Sequence, residues 1–295
     1  MNDAPRVTMF WGTATEARAV IYARLDELEL PPLSAGQRMG EIHGPFADQV
    51  HTLPARYDFK LPARSATAEC LIPDPCFWTP RVPLFYQARL TIPQREQDCC
   101  EFQQMIGIRR LGIVGTDFRW DGRRWVVRGV EVEPRTDLPL TDFRDTGTAA
   151  FVLNPADDFC EAASRKGVVI IARLEPSDEL ESTVARLARW PAVAMVALSE
   201  SNPNTNARLR RLAPNLLFAR IVRGDVLPEM VGACDVLIVD ASNEMTSMDS
   251  LLSHGKPTVI WKPAARPVDW RQARAECDAL QARLTAAGIL SGYLS

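Results

Sequence analysis

From Arg124 onward the chain repeats one pattern: a short apolar run rich in β-branched residues, then a stretch with helical spacing, then another run. The β-like runs number eight: Trp125–Val132, Ala149–Leu153, Val168–Ala172, Val193–Leu198, Leu216–Val222, Asp235–Val239, Pro257–Trp261 and Ile289–Leu294. Ser177–Trp190 and Val268–Ala287 are examples of the helical stretches between them. Strands separated by helices cannot pair as hairpins, so they are forced parallel and buried on both faces. Eight such strands close a (β/α)8 barrel. The segment is shorter than the roughly 200–250 residues usual for that fold, so the barrel must be compact, with a stunted first helix in the Pro- and Asp-rich stretch 134–147. An open doubly wound sheet is the alternative, but no glycine-rich turn follows a strand to cradle a dinucleotide phosphate.

Residues 6–106 read differently. Short alternating runs such as Arg18–Arg24 and Ala88–Ile92 are broken by Pro31-Pro32, Gly44-Pro45 and Pro54, the pattern of an antiparallel sandwich. Between the halves, Asp121-Gly122 is flanked by Phe118, Trp120, Trp125, Val126 and Val127. An Asp-Gly pair between β-formers predicts a two-residue type I′ hairpin, because both central residues must take positive φ. The expected division is a β-sandwich over residues 1–110 and a barrel over 111–295.

Charge and cysteine content narrow the function classes. A formal net charge of −3 gives no electrostatic reason to bind nucleic acid or an anionic membrane surface. The 34 basic residues are scattered, and only Lys60, Lys166, Lys256 and Lys262 among them are lysines. The start, MNDAPRVTMFWG, has no basic region followed by a long apolar run, and no run approaches the roughly twenty residues of a membrane span. The expectation is a cytoplasmic protein. Seven cysteines, an odd count without CxxC or paired histidines, argue against a disulfide framework and a zinc site, and no cofactor is expected. Cys160 and Cys234 fall in apolar patterns and read as buried thiols, and His43 and His51 read as surface or turn residues.

Four short motifs then occur in order: Trp78-Thr79-Pro80 with Pro83 and Tyr86; Gly107-Ile108-Arg109; Asp121-Gly122; and Arg128-Gly129-Val130. In this order they resemble the junction of glycoside hydrolase family 2, the group containing β-galactosidases, β-glucuronidases and β-mannosidases. There a sandwich strand carrying W-[ST]-P-x-x-P-x-x-Y is followed by G-[FI]-R, a hairpin and an R-G-V strand opening a barrel. The resemblance implies an immunoglobulin-like β-sandwich followed by a compact (β/α)8 TIM barrel. The family's larger N-terminal jelly-roll domain has no counterpart in this sequence.

Barrel chemistry sits just after the strand ends. Those positions hold Glu131 and Glu133, Asn154, Arg173 and Glu175, Glu200, Arg223, Asp240 and Asn243, and Lys262. Retaining glycosidases need two carboxyl groups about 5–5.5 Å apart, one a proton donor and one a nucleophile. In the family these glutamates end the fourth and seventh strands. Val193–Leu198 followed by Ser199-Glu200 is similar to the family's fourth-strand element, which makes Glu200 the acid/base candidate. Ser199 stands where the family has the asparagine that binds the sugar 2-hydroxyl. A solvated glutamate near a helix start is the plain reading of Glu200. The seventh strand, Lys256–Lys262, resembles K-P-[IV]-x-x-x-E with Lys262 in the glutamate's place. An ammonium cannot form the glycosyl ester. The family's arginine after the second strand is also absent, where this chain reads Ala149–Pro155.

The leading expectation is a catalytically degenerate family 2-like protein that binds carbohydrate or another protein. Asn154, Glu175, Asp240, Asn243 and Trp261 are the candidate binding residues around Glu200 and Lys262. Trp261 either stacks on a sugar face or is core. The competing expectation is an active β-glycosidase using Glu200 with Glu175 or Asp240 as an unconventional nucleophile. A third is Schiff-base chemistry at a desolvated Lys262.

Overall fold

A computed structural model describes residues 6–26, 36–62, 65–93, 99–133, 138–199, 203–223, 234–242, 254–263, 269–284 and 290–295. The first seven strands are β1 (Arg6–Trp11), β2 (Arg18–Asp26), β3 (Arg38–Phe46), β4 (Ala55–Lys60), β5 (Thr67–Pro73), β6 (Phe85–Pro93) and β7 (Cys99–Ile106). All pair antiparallel, in the order β1-β2-β5-β4-β3-β6-β7. β5 and β4 touch at one register pair, Lys60 with Glu69, so the sheet folds there into a three-stranded and a four-stranded layer. Inward residues at alternate positions, among them Ile21, Ile42, Phe59, Ile72 and Leu90, fill the space between the layers. This is the period-2 burial that a sandwich requires.

A three-stranded sheet follows: β8 (Leu111–Val114), β9 (Asp117–Trp120) and β10 (Arg123–Trp125). Asp121 and Gly122 have φ of 53° and 77°, the two positive values a type I′ turn needs, and the register closes on Trp120 and Arg123. Trp120 and Trp125 pack edge to face at 5.1 Å.

Eight parallel strands then close a barrel: β11 (Val127–Val132), β12 (Ala149–Leu153), β13 (Ile170–Leu174), β14 (Val193–Leu198), β15 (Leu217–Arg223), β16 (Val236–Asp240), β17 (Thr258–Trp261) and β18 (Gly292–Leu294). β18 pairs with both β17 and β11, so no edge remains. The described helices outside the barrel are α1 (Leu140–Asp145), α2 (Asp157–Lys166), α3 (Leu180–Leu187), α4 (Pro203–Leu212) and α5 (Trp270–Leu284). α2 shows why such a segment becomes a helix: acidic residues in its first turn, basic ones in its last, and Gly167 closing it at φ 78°.

Three expected boundaries are corrected, the third barrel strand running Ile170–Leu174 rather than Val168–Ala172. The run Trp125–Val132 is two strands, because Trp125 belongs to the hairpin and Val127 starts the barrel. The helix expected over Ser177–Trp190 is confined to Leu180–Leu187, with Trp190-Pro191 forming the turn into β14. His43 lies on β3 rather than in a turn and packs edge-on against Phe46 at 4.9 Å, while His51 is exposed. Cys160 and Cys234 are buried. Among the described residues no helix is long and apolar enough to cross a membrane.

The sandwich and the hairpin sheet lie at the N-terminal ends of the barrel strands. Trp78, fully buried, donates its Nε1 to Ser164 O of α2 at 3.0 Å. Gly107 sits where a Cβ would meet Pro191 and Trp78. The Arg109 guanidinium donates to Pro191 O, just before β14, at 2.6 Å, and to Asn215 O, just before β15, at 3.2 Å. The opposite end of the barrel, where the strands finish, is therefore the end left free for chemistry.

Candidate functional site at the barrel mouth

Register decides which side chains enter the barrel, because partners side by side on adjacent strands project to the same face. Asp240, Trp261 and Leu294 are successive partners on β16, β17 and β18, as are Leu153, Arg173 and Ala197 on β12, β13 and β14. Glu131 of β11 is level with Phe151 of β12. Ile260, one residue before Trp261, packs instead with Cys277 and Leu280 of α5, so it faces outward and Trp261 faces inward.

At the mouth these inward residues meet. Arg173 Nη1 donates to Glu131 Oε1 at 2.8 Å. Its guanidinium carbon lies 5.8 Å from the Phe151 ring centroid and 5.3 Å from that of Trp261, and the two rings pack edge to face at 5.2 Å. β13 and β17 stand opposite each other in the strand order, so the Arg173 side chain and the Trp261 ring meet across the barrel. The contact combines a charge-assisted hydrogen bond with cation–π attraction. Trp261 is 7% exposed, and its Nε1 has no hydrogen-bond partner among the described residues. Asp240 Oδ1 accepts from the Ser242 amide at 2.9 Å and from Ser242 Oγ.

The other expected site residues distribute as follows. Lys262 follows β17, its amide bonded to Leu294 O at 2.9 Å and its side chain exposed. Asn154 is exposed at φ 45°, its amide donating to Arg173 O at 2.9 Å. Glu175 is exposed beyond β13. Glu200 and Asn243 lie outside the described residues, while Ser199, directly before Glu200, is exposed at the end of β14. The Glu131–Arg173 pair was not legible as a pair. Both stood at strand ends, but only the register of three strands shows that they share the interior. The signal available was their position: a charged residue within an otherwise apolar barrel strand needs a partner.

No protein-family model and no curated protein sequence matches the chain. Solved structures match in fold. A glycosyl hydrolase family 2 member from Bacteroides cellulosilyticus DSM 14838 superposes with a TM-score of 0.67 at 12% identity, over 98% of this chain and 44% of its own length. A β-D-glucuronidase from Dictyoglomus thermophilum gives 0.62 at 12% identity, over 98% and 61%. A β-glucuronidase from Ruminococcus gnavus gives 0.63 at 13% identity, over 98% and 60%. The chain thus spans less than two thirds of each of these structures, and at such identities the likeness is one of architecture: a β-sandwich joined to a closed parallel barrel, similar to that within these glycosidases.

Proposed function

We propose that this chain is a family 2-like glycosidase scaffold that binds carbohydrate at its barrel mouth without hydrolysing it. The observation that carries the reading is Lys262 at the end of the seventh barrel strand. The resemblance puts the nucleophilic glutamate there, and an ammonium cannot form the ester intermediate of a retaining reaction. The state of the nearby acids supports it: Glu131 is held by Arg173, and Asp240 by Ser242. Lys262 is exposed, so the desolvation that Schiff-base chemistry requires is not supplied. Carbohydrate is preferred to a protein partner because the architecture and the four junction motifs are both those of glycosidases.

In this proposal residues 1–110 are an immunoglobulin-like sandwich, and 111–295 a second domain in which the hairpin sheet leads into a trimmed (β/α)8 barrel. The hydroxyl of Tyr86, the second residue of β6, accepts from the Cys76 amide at 2.8 Å, as the tyrosine corner of immunoglobulin-like domains does.

One observation favours a second reading. Asp240 faces the barrel interior beside Trp261, whereas Glu175 is exposed, so an active enzyme would pair Glu200 with Asp240. A panel of aryl β-galactosides, glucosides, glucuronides and mannosides tests both. No turnover by the wild type, with saccharide binding weakened by Trp261→Ala, is the expected result. Turnover abolished by both Glu200→Gln and Asp240→Asn would replace the proposal with the active glycosidase.

A further inference from the structure

Two adjoining cavities run along the outer face of β6, and we propose that they form one groove that binds a neutral, hydroxyl-rich chain, an oligosaccharide strand, far from the barrel mouth. From Tyr86 onward β6 alternates strictly. Tyr86, Ala88, Leu90 and Ile92 enter the sandwich core, so Gln87, Arg89 and Thr91 face out, while Phe85 is buried against the barrel-side core. Three outward positions on a strand span about 14 Å, enough for two or three pyranose rings end to end. One cavity, of about 320 Å³, has Arg38, Glu41, Arg89 and Glu101 in its wall; the second, also about 320 Å³, has Phe46, Asp48, Gln87 and Arg165. Gln103 of β7 lines both and joins them.

The groove has a structural cause. β3, which forms one wall, carries two register irregularities, one between Arg38 and Gly40 and one between His43 and Phe46, so each cavity has a bulge beside it. Bulges bend a strand and increase its twist, which turns a flat sheet face into a trough. At Gly40 a Cβ would lie 2.0 Å from Arg89 O, so the close approach of β3 to β6 there requires glycine.

Chemistry selects the occupant. Along the groove the charges are balanced, and several are already spent: Arg38 on Asp58 and Glu41, Arg165 on Asp48 and Glu161. The side chains with no hydrogen-bond or ion-pair partner among the described residues are those of Gln87, Gln103, Thr91, Arg89 and Glu101. That set holds two amides, a hydroxyl, one cation and one anion. A polyanion or a polycation gains nothing from a balanced site, whereas paired donors and acceptors suit ring hydroxyls, which are both. The half-buried Phe46 ring adds an apolar surface for a sugar face. A peptide would add to the free strand edge, which is β7; the floor of the groove is β6, hydrogen-bonded on both sides to β3 and β7, where an occupant meets side chains and no free backbone.

Affinity electrophoresis in native gels containing mixed-linkage β-glucan, xylan or galactomannan tests this, with polygalacturonate and dextran sulfate as charged controls. At least one neutral polymer should retard the whole chain. Gln103→Ala and Arg89→Ala, both at exposed positions, should weaken that retardation about tenfold, the loss of one or two hydrogen bonds. Arg123→Ala, exposed on the hairpin sheet and outside both sites, should leave it unchanged. Circular dichroism of each variant confirms the fold. No retardation by any neutral polymer, retardation by the polyanions alone, or retardation indifferent to the groove variants would overturn the inference. Retardation lost on Lys262→Ala and kept in the groove variants would also overturn it, while leaving the barrel-mouth reading in place.

Discussion

Arg109 is 5% exposed, and among the described residues its guanidinium meets backbone carbonyls and no carboxylate. Desolvation brings its pKa down to about 9, and carbonyls of Pro191, Val193 and Asn215 keep the cation solvated in place of water. Arg109→Met should therefore cost on the order of 3 kcal/mol, because three buried carbonyls lose their donor; urea titration gives the value. In the sequence Arg109 was legible only as the end of a short motif. Its clamp was not, because its acceptors lie 82 to 106 residues away along the chain. Cysteine chemistry was easier to read, since an apolar neighbourhood in sequence usually means burial. Burial pushes the Cys70 and Cys160 thiols up to about 12. Both titrate higher in the fold than in the unfolded chain, so their contribution is intact below the ordinary thiol value and is lost as pH rises toward 12. The urea midpoint should fall between pH 9 and 12, and more gently in the Cys70→Ala, Cys160→Ala double variant. At pH 8 a thiol reagent should modify exposed Cys99 first, and reach buried Cys70, Cys160, Cys234 and Cys277 only in denaturant.

At the level of elements, local signals carried most of the barrel. Ala149–Leu153 and Val193–Leu198 were legible to the residue, since a β-branched run bounded by turn residues has little else to become. The hairpin was legible because Asp-Gly is one of the few pairs that accept two positive φ values. Pairing in the sandwich was not, because the β2–β5 register brings together residues about fifty apart and no turn chemistry specifies it. Two glycines at positive φ separate local from tertiary constraint. Gly122 has no atom near its absent Cβ, so Gly122→Ala should cost about 1 kcal/mol from backbone strain alone. Gly167 caps α2 with Pro80 O only 2.1 Å from where a Cβ would stand. Gly167→Ala adds that collision to the strain, so it should cost about 2–3 kcal/mol or more. Thermal denaturation of the pair measures the difference.

On the scale of the whole molecule, buried Trp78, Gly107 and Arg109 and the half-buried Trp11–Asn215 contact tie sandwich to barrel directly rather than through a solvated linker. Far-UV and near-UV unfolding curves should coincide in the wild type. Trp78→Ala should destabilise by about 3–5 kcal/mol and split the transition in two, each half then melting on its own core. The charged interior of the mouth was the least legible feature, since Glu131 and Arg173 are brought together only once β12 lies between their strands. The closing strand carries a different consequence. β18 is only three residues long, the last barrel strand in chain order, and the partner of both β17 and β11. During synthesis on the ribosome, seven strands must emerge and wait as an incomplete wall, with β11 and β17 each presenting a bare hydrogen-bonding rim until Gly292–Leu294 clears the exit tunnel. A nascent chain stalled just short of that point is the species most exposed to capture by chaperones or by its neighbours on the same messenger.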